Sequence, residues 1–105
     1  MSKMPRPMEM KRFYTLLALA IGPQHAYGIR QQIIADSQQN FVPDLTTQKR
    51  IIDHFIKLGF AEIEGVIEAG SSDVMLYSIT EKGRQRLRQQ SMLFRDILKI
   101  AISRI

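Results

Sequence analysis

Four breaks divide this sequence into helical and extended stretches in an order that few folds accommodate. Gly22-Pro23 ends the first apolar stretch, because glycine supplies a left-handed cap and proline cannot continue the backbone hydrogen bonds. Pro43 closes a polar loop before Asp44, which is a good N-cap, and Gly59 ends the helix that follows. Thr80 is placed to cap the last helix. This order predicts helix, helix, helix, hairpin, helix.

Apolar periodicity between the breaks locates the elements and their inward sides. Helices are expected from Met8, from Gln24 or Ala26, and over 45–58, strands over 61–68 and 74–79, and a last helix over 81–105. Gly65 predicts a β-bulge in the first strand. Tyr27 and Leu45 are assigned to the inward sides of their helices. The fold class is therefore mainly α (α+β): a winged helix-turn-helix with a two-stranded wing and a long C-terminal helix.

Composition narrows the classes of function. The net charge of +5 and the pI near 9.9 favour an anionic partner, of which nucleic acid is the commonest. The chain lacks cysteine, which excludes disulfides, thiolate metal sites and a cysteine nucleophile. His25 and His54 have no partner at metal-ligand spacing, and the serines and glycines form no catalytic or phosphate-cradling motif. We expect no metal, no cofactor and no enzymatic activity, and a cytoplasmic protein without a membrane segment.

The third helix is the candidate DNA-binding element, because hydroxyl, amide and cationic side chains gather near its N-terminal end. Arginine can bind guanine with two hydrogen bonds, glutamine can bind adenine in the same way, and threonine can contact a phosphate or a thymine methyl group. The candidate DNA-binding residues are Thr46, Thr47, Gln48, Lys49, Arg50 and Lys57. Cations of the N-terminal arm would add phosphate contacts: Lys3, Arg6, Lys11 and Arg12. The alternative is an amphipathic helix that is merely solvated.

The predicted hairpin differs from a DNA-binding wing, which normally lays cations on phosphate. It has no lysine or arginine and is acidic through Glu62, Glu64, Glu68 and Asp73. We therefore expect it to complete the fold and to contribute little DNA binding. The same feature favours an alternative function, that of a winged-helix protein-interaction module that no longer binds DNA.

The last helix carries a heptad seam, which is typical of helices that associate. Its members are Leu87, Ser91, Phe94, Leu98, Ala101 and Ile105. A second apolar stripe lies beside it, so a single neighbouring helix would leave a large apolar patch exposed. We predict a homodimer built through Leu87, Phe94, Leu98, Ala101 and Ile105, with residues 1–80 as the DNA-binding part and residues 81–105 as the dimerisation helix. The alternative is that this helix folds back on the first helix within a monomer.

Three segments together resemble the PadR-like family of bacterial transcriptional regulators. They are Gly22-Pro23-Gln24-His25-Ala26-Tyr27-Gly28-Ile29, Leu58-Gly59-Phe60 and Tyr77-Ser78-Ile79-Thr80-Glu81-Lys82-Gly83. The resemblance covers about residues 13–87 and implies a winged helix followed by a dimerisation region, here a single helix as in the short form of the family. It further implies a dimer that binds palindromic operators on double-stranded DNA, usually as a repressor.

Several members of the family respond to small aromatic or hydrophobic effectors, which an aromatic residue of the last helix contacts. Phe94 is at about that position and is the candidate effector-binding residue, with a plain core role in the dimer seam as its alternative. The chain departs from the family at Lys49, where a tyrosine is usual, and at Val74-Met75-Leu76, where the family wing is basic. Both departures favour either altered DNA specificity or the protein-interaction alternative.

Overall fold

The computed structural model describes residues 6–70 and 72–105, so Lys3 of the predicted arm lies outside the described residues. The elements are α1 (Met10–Leu19), α2 (Ala26–Asp36), α3 (Leu45–Leu58), β1 (Ala61–Ala69), β2 (Ser72–Ile79) and α4 (Glu81–Ser103). The predicted order and the winged helix-turn-helix fold class are confirmed. The first helix starts later than expected, and both strands extend further toward the hairpin turn.

Capping residues fix the ends of α3 and α4 as their sequences predict. The Asp44 carboxylate accepts a hydrogen bond from the Thr47 backbone N–H at 2.8 Å. Gly59 ends α3 in the left-handed conformation, with a φ of 82°. The Thr80 hydroxyl accepts from the Gly83 backbone N–H at 3.0 Å and starts α4. These local interactions satisfy backbone groups that a helix end leaves without partners.

The core joins α1, α2, α3 and the base of the hairpin. Its fully buried large apolar side chains are Leu16, Leu19, Ile29, Ile33, Ile52 and Phe55. The expectation that Tyr27 faces inward is wrong, since its side chain is 59% exposed. At 100° per residue it lies on the side of α2 opposite Ile29. The expectation for Leu45 is also wrong. Its side chain is 57% exposed, because it is the first residue of α3 and lies at the edge of the buried side of that helix.

The hairpin is joined to the turn that follows α1. Strands β1 and β2 pair antiparallel, and the register shifts between Ile63 and Gly65, which confirms the bulge. Gln24 and Tyr77 form an isolated antiparallel bridge, with N···O distances of 3.0 and 2.8 Å. The Gly-Pro segment and the Tyr77 segment, which lie far apart in the sequence, are therefore in direct contact. This bridge fixes the base of the wing against the helical body.

Helix α4 contacts α1 as far along as Phe94, and its remaining residues extend beyond the core. Leu87 packs against the core cluster. Leu98 is 60% exposed, and Ile97, Ile100, Ile102 and Ile105 are exposed as well. Among the described residues, no helix has both the length and the apolar character required to cross a lipid bilayer.

Candidate nucleic-acid interface

The outward side of α3 presents a polar surface. Thr46, Arg50, Asp53 and Lys57 lie along its centre, opposite the buried side chains of Ile52 and Phe55. All four central residues are exposed. The major groove of B-DNA is wide enough to admit an α-helix that presents such a surface. The exposed positions include four of the six candidate DNA-binding residues: Thr46, Lys49, Arg50 and Lys57.

Gln48 is the one predicted contact residue that the structure removes from this surface. Its side chain is 1% exposed, and its amide nitrogen donates to the Ala26 backbone oxygen at 2.6 Å. It lies between α3 and the start of α2, on the buried side of its own helix. The prediction that Gln48 contacts a base is therefore wrong, because the amide that would bind adenine is used to join two helices.

Thr47 has a local role at the start of α3. Its hydroxyl donates to the Asp44 carboxylate at 2.8 Å, and its backbone N–H donates to the same group. These two hydrogen bonds lower the pKa of Asp44 below its ordinary value of 3.8. The side chain of Thr47 is half-buried, so its contribution to the outward surface is smaller than that of Thr46.

Lys49 is paired within the helix rather than free. Its ammonium contacts both carboxylate oxygens of Asp53, at 2.8 and 3.0 Å. This hydrogen bonding raises the pKa of Lys49 above its ordinary value of 10.5. Lys49 also lines a shallow cleft between α3 and the wing, together with Asp73 and Tyr77. The one cation of α3 on the wing side is therefore paired with a carboxylate of its own helix, in a cleft that Asp73 also lines.

The wing carries acidic and apolar side chains on its exposed surface. Glu68 and Asp73 are directly opposite each other in the β1–β2 register, an arrangement of like charges that is destabilising in a sheet. The exposed apolar residues of the hairpin are Ile63, Val66, Ile67 and Met75. A phosphate backbone approaching this side of α3 would meet negative charge.

An apolar groove runs between α1 and the second half of α4. It has a volume of about 630 Å³ and includes Met10, Phe13, Phe94, Leu98 and Ile102. The Phe13 and Phe94 rings are in edge-to-face contact, with centroids 5.0 Å apart. The pairing of these two rings was not predicted, since helical spacing alone does not show which residues of two helices meet.

The predicted dimerisation residues fall into two groups. Leu87 and Phe94 contact other elements of the same protomer. Leu98, Ala101 and Ile105 are exposed. Within residues 6–70 and 72–105, no group of three or more His, Cys, Asp or Glu side chains is placed to hold a metal ion.

Comparison with known proteins identifies the fold. No family model matches the sequence, and no curated protein does. Among solved structures, a PadR-like transcription factor from Bacteroides fragilis superposes with a TM-score of 0.76 at 15% identity, over 91% of this chain and 90% of that one. A PadR family regulator from Clostridium difficile R20291 gives a TM-score of 0.76 at 13% identity, over 90% and 97%.

A third structure is that of Bacillus subtilis PadR in complex with operator DNA. It gives a TM-score of 0.66 at 17% identity, over 76% of this chain and 45% of that chain. At these identities the similarity establishes the architecture. The chain is a winged helix-turn-helix protein, and its fold is that of the PadR-like transcriptional regulators.

Proposed function

We propose that this protein is a sequence-specific, DNA-binding transcriptional regulator that acts in the cytoplasm, as a homodimer and as a repressor. The observation that carries the proposal is the exposed polar surface of α3, centred on Thr46 and Arg50, in a fold shared with a regulator solved on its operator. The chemistry of this surface suits DNA and includes no arrangement for catalysis.

The proposal gives a separate role to each candidate residue of α3 that is not buried. Arg50 would bind a guanine edge, since its planar guanidinium matches the two acceptors of that base. Thr46 would contact a phosphate or a thymine methyl group. Lys57 would bind phosphate, and Lys49 would do so after release from Asp53. Thr47 would position the helix through its contact with Asp44.

Residues 81–105 would form the dimer interface. Leu98, Ala101 and Ile105 are exposed on a helix that extends beyond the core, and a second copy would remove this apolar surface from water. Leu87 and Phe94 would support the seam from within each protomer. Two α3 helices about 34 Å apart would then meet adjacent half-sites one turn of duplex apart.

The groove beside Phe94 would receive a small hydrophobic or aromatic effector. Its lining is apolar, and the edge-to-face pair of Phe13 and Phe94 provides an aromatic wall. A ligand there would contact α1 and α4 together. Because α1 also packs on α3, only helix α1 would lie between such a ligand and the helix that faces DNA.

The proposal is tested by titrating a mixed-sequence duplex with the full chain at several salt concentrations, with light scattering to measure the oligomer. Binding through about six phosphates gives a log–log slope of about −5. Genomic footprinting would then identify the operator. A monomer under all conditions would remove the dimer from the proposal, and absence of DNA binding at low salt would remove the regulator.

The second candidate function is a protein-interaction module. The observation in its favour is the wing, which combines four carboxylates with exposed Ile63, Val66, Ile67 and Met75. In this case Arg50→Ala would leave binding to the partner unchanged, and substitutions in the wing would abolish it. The low-salt DNA titration separates the two functions.

A further inference from the structure

A cleft between the start of α1 and the outward edge of α3 is lined by three cationic side chains and a histidine. We propose that it binds one phosphodiester group of the DNA backbone, through Lys11, Arg12 and His54. The inference deepens the proposed function and rests on it. It assigns the phosphate contact to a discrete site on the side of α3 away from the wing.

The cleft has a volume of about 390 Å³, and α1 and α3 supply nearly all of its lining. The lining residues are Glu9, Lys11, Arg12, Thr47, Arg50, Ile51 and His54. Three of them are permanently cationic at neutral pH, and one is a carboxylate. Arg50 lies at the boundary between this cleft and the centre of the outward side of α3, so a phosphate in the cleft would be adjacent to the base-reading position.

Arg12 is held in place by two contacts. Its guanidinium nitrogen is 2.7 Å from Nδ1 of His54. Its guanidinium carbon lies 4.9 Å from the centroid of the Phe55 ring. A guanidinium that is already ordered loses less side-chain freedom when it binds an anion. The remaining N–H donors of Arg12 are available to a phosphate oxygen.

The contact with Arg12 also fixes the chemistry of His54. Arginine has donors and no acceptor, so Nδ1 of His54 accepts and the ring proton is on Nε2. With Nδ1 accepting from Arg12, the Nε2–H of His54 can donate a hydrogen bond to an anion. Arg12 and His54 together offer donors to an anion and no competing acceptor.

The only carboxylate of the cleft lining is weakly held. Glu9 contacts Lys11 at 3.5 Å, and both side chains are about half exposed or more, at 67% and 48%. An exposed pair of this kind contributes little free energy. A phosphate would replace Glu9 as the partner of Lys11 at small cost.

The start of α1 is anchored from the other side by α4. The buried amide of Gln90 accepts from the Met8 backbone N–H at 2.7 Å and donates to the Arg6 backbone oxygen at 2.9 Å. This clamp holds the segment that leads into Lys11 and Arg12. The cleft is therefore built on a fixed backbone, in contrast to a loose basic arm.

The distribution of charge around α3 explains why the site lies here. A helix in the major groove has a phosphate backbone on each side. On the wing side Lys49 is paired with Asp53, Asp73 lines the same cleft, and the hairpin has no lysine or arginine. On the α1 side lie Lys11, Arg12 and His54. The cleft would therefore supply the phosphate contacts that cations of a wing normally make.

The test measures binding of the full chain to a mixed-sequence duplex between about 50 and 200 mM salt, because phosphate contacts do not depend on sequence. Lys11→Met should reduce the magnitude of the log–log slope by about 0.9. Arg88→Met removes the same charge from an exposed position on α4 and is the matched control, with a smaller change. Glu9→Gln should increase affinity.

His54→Phe should weaken binding about two- to tenfold with little change in slope, since a neutral donor releases no counterion. Circular dichroism checks that each variant is folded. Equal slopes for Lys11→Met and Arg88→Met, in a wild type that binds DNA, would overturn the cleft and leave the proposed function intact. A wild type that binds no duplex at low salt would instead overturn the proposed function itself.

Discussion

The side-chain amide of Gln48 donates to the backbone oxygen of Ala26 at 2.6 Å and joins α3 to the first turn of α2. In sequence, Gln48 lies among Thr46, Thr47, Lys49 and Arg50, all of which share its polar character. In the structure it is on the opposite side of the helix from Arg50. This hydrogen bond ties together the two helices of the helix-turn-helix unit, in addition to the apolar contacts between them.

Gln48→Ala should therefore lower stability and leave DNA selectivity unchanged. The substitution removes a buried hydrogen bond and leaves a cavity, which together cost about 1–3 kcal/mol in the free energy of unfolding. Urea denaturation measures the loss, and titration with operator and mutated operator measures selectivity. A change in base preference at one operator position would mean that Gln48 leaves its buried site when DNA is bound.

Arg50→Ala should have the opposite effect to Gln48→Ala: it should change DNA binding and leave stability nearly unchanged. Because Arg50 is exposed at the centre of the α3 surface, its removal should leave the free energy of unfolding nearly unchanged. Specific binding should weaken by about 1–3 kcal/mol if Arg50 binds a base, with relaxed preference at one position. Lys57→Ala is the comparison, since loss of a phosphate contact weakens all sequences equally. Unchanged affinity and selectivity would remove Arg50 from the contact residues.

Asp53→Asn should strengthen non-specific DNA binding. The change removes the carboxylate that contacts Lys49 at 2.8 Å and also removes a negative charge from the centre of the α3 surface. Lys49 would then be available to a phosphate, and the log–log salt slope should become steeper by about 0.9. Weaker binding, with lost preference for one C·G pair, would show instead that Asp53 accepts a hydrogen bond from cytosine.

Much of the fold follows from local sequence signals. Asp44, Gly59 and Thr80 end or begin helices where capping chemistry predicts, because each cap involves atoms only a few residues away. The bulge near Gly65 is also local. Such features depend on short-range sterics and hydrogen bonds, so a single sequence is sufficient to predict them.

The candidate site was predicted less completely, because its decisive contacts join distant parts of the chain. The Arg12–His54 contact and the Phe13–Phe94 contact depend on how α1 packs against α3 and α4. Helical spacing shows which residues share a side of a helix, and it does not show what that side meets. Gln48 was misassigned for the same reason: its partner, Ala26, lies on another element.

Acid should remove the contribution of the α3 cap. The pKa of Asp44 is lowered in the folded protein, because its carboxylate accepts from the Thr47 backbone and hydroxyl. The cap is therefore fully effective above the ordinary value of 3.8 and is lost as the pH falls through the lower folded pKa. The difference in free energy of unfolding between wild type and Asp44→Ala should be largest near neutral pH and shrink in acid. Asp44→Asn, an uncharged cap, is the control, and its difference from Asp44→Ala should persist in acid.

Gly83→Ala should destabilise the protein although alanine is normally the better helix former by about 1 kcal/mol. A Cβ at Gly83 would collide with the backbone oxygen of Phe60 and would lie 2.7 Å from a side-chain carbon of Ile79. Phe60 cannot withdraw freely, since its oxygen accepts from the Thr80 backbone N–H at 3.0 Å. We expect a loss of about 1–3 kcal/mol or more, measured by urea denaturation. Gly65→Ala is the matched control, because a Cβ there meets no atom within 4 Å. Equal stability of Gly83→Ala and wild type would mean that the start of α4 is not in close contact with Phe60.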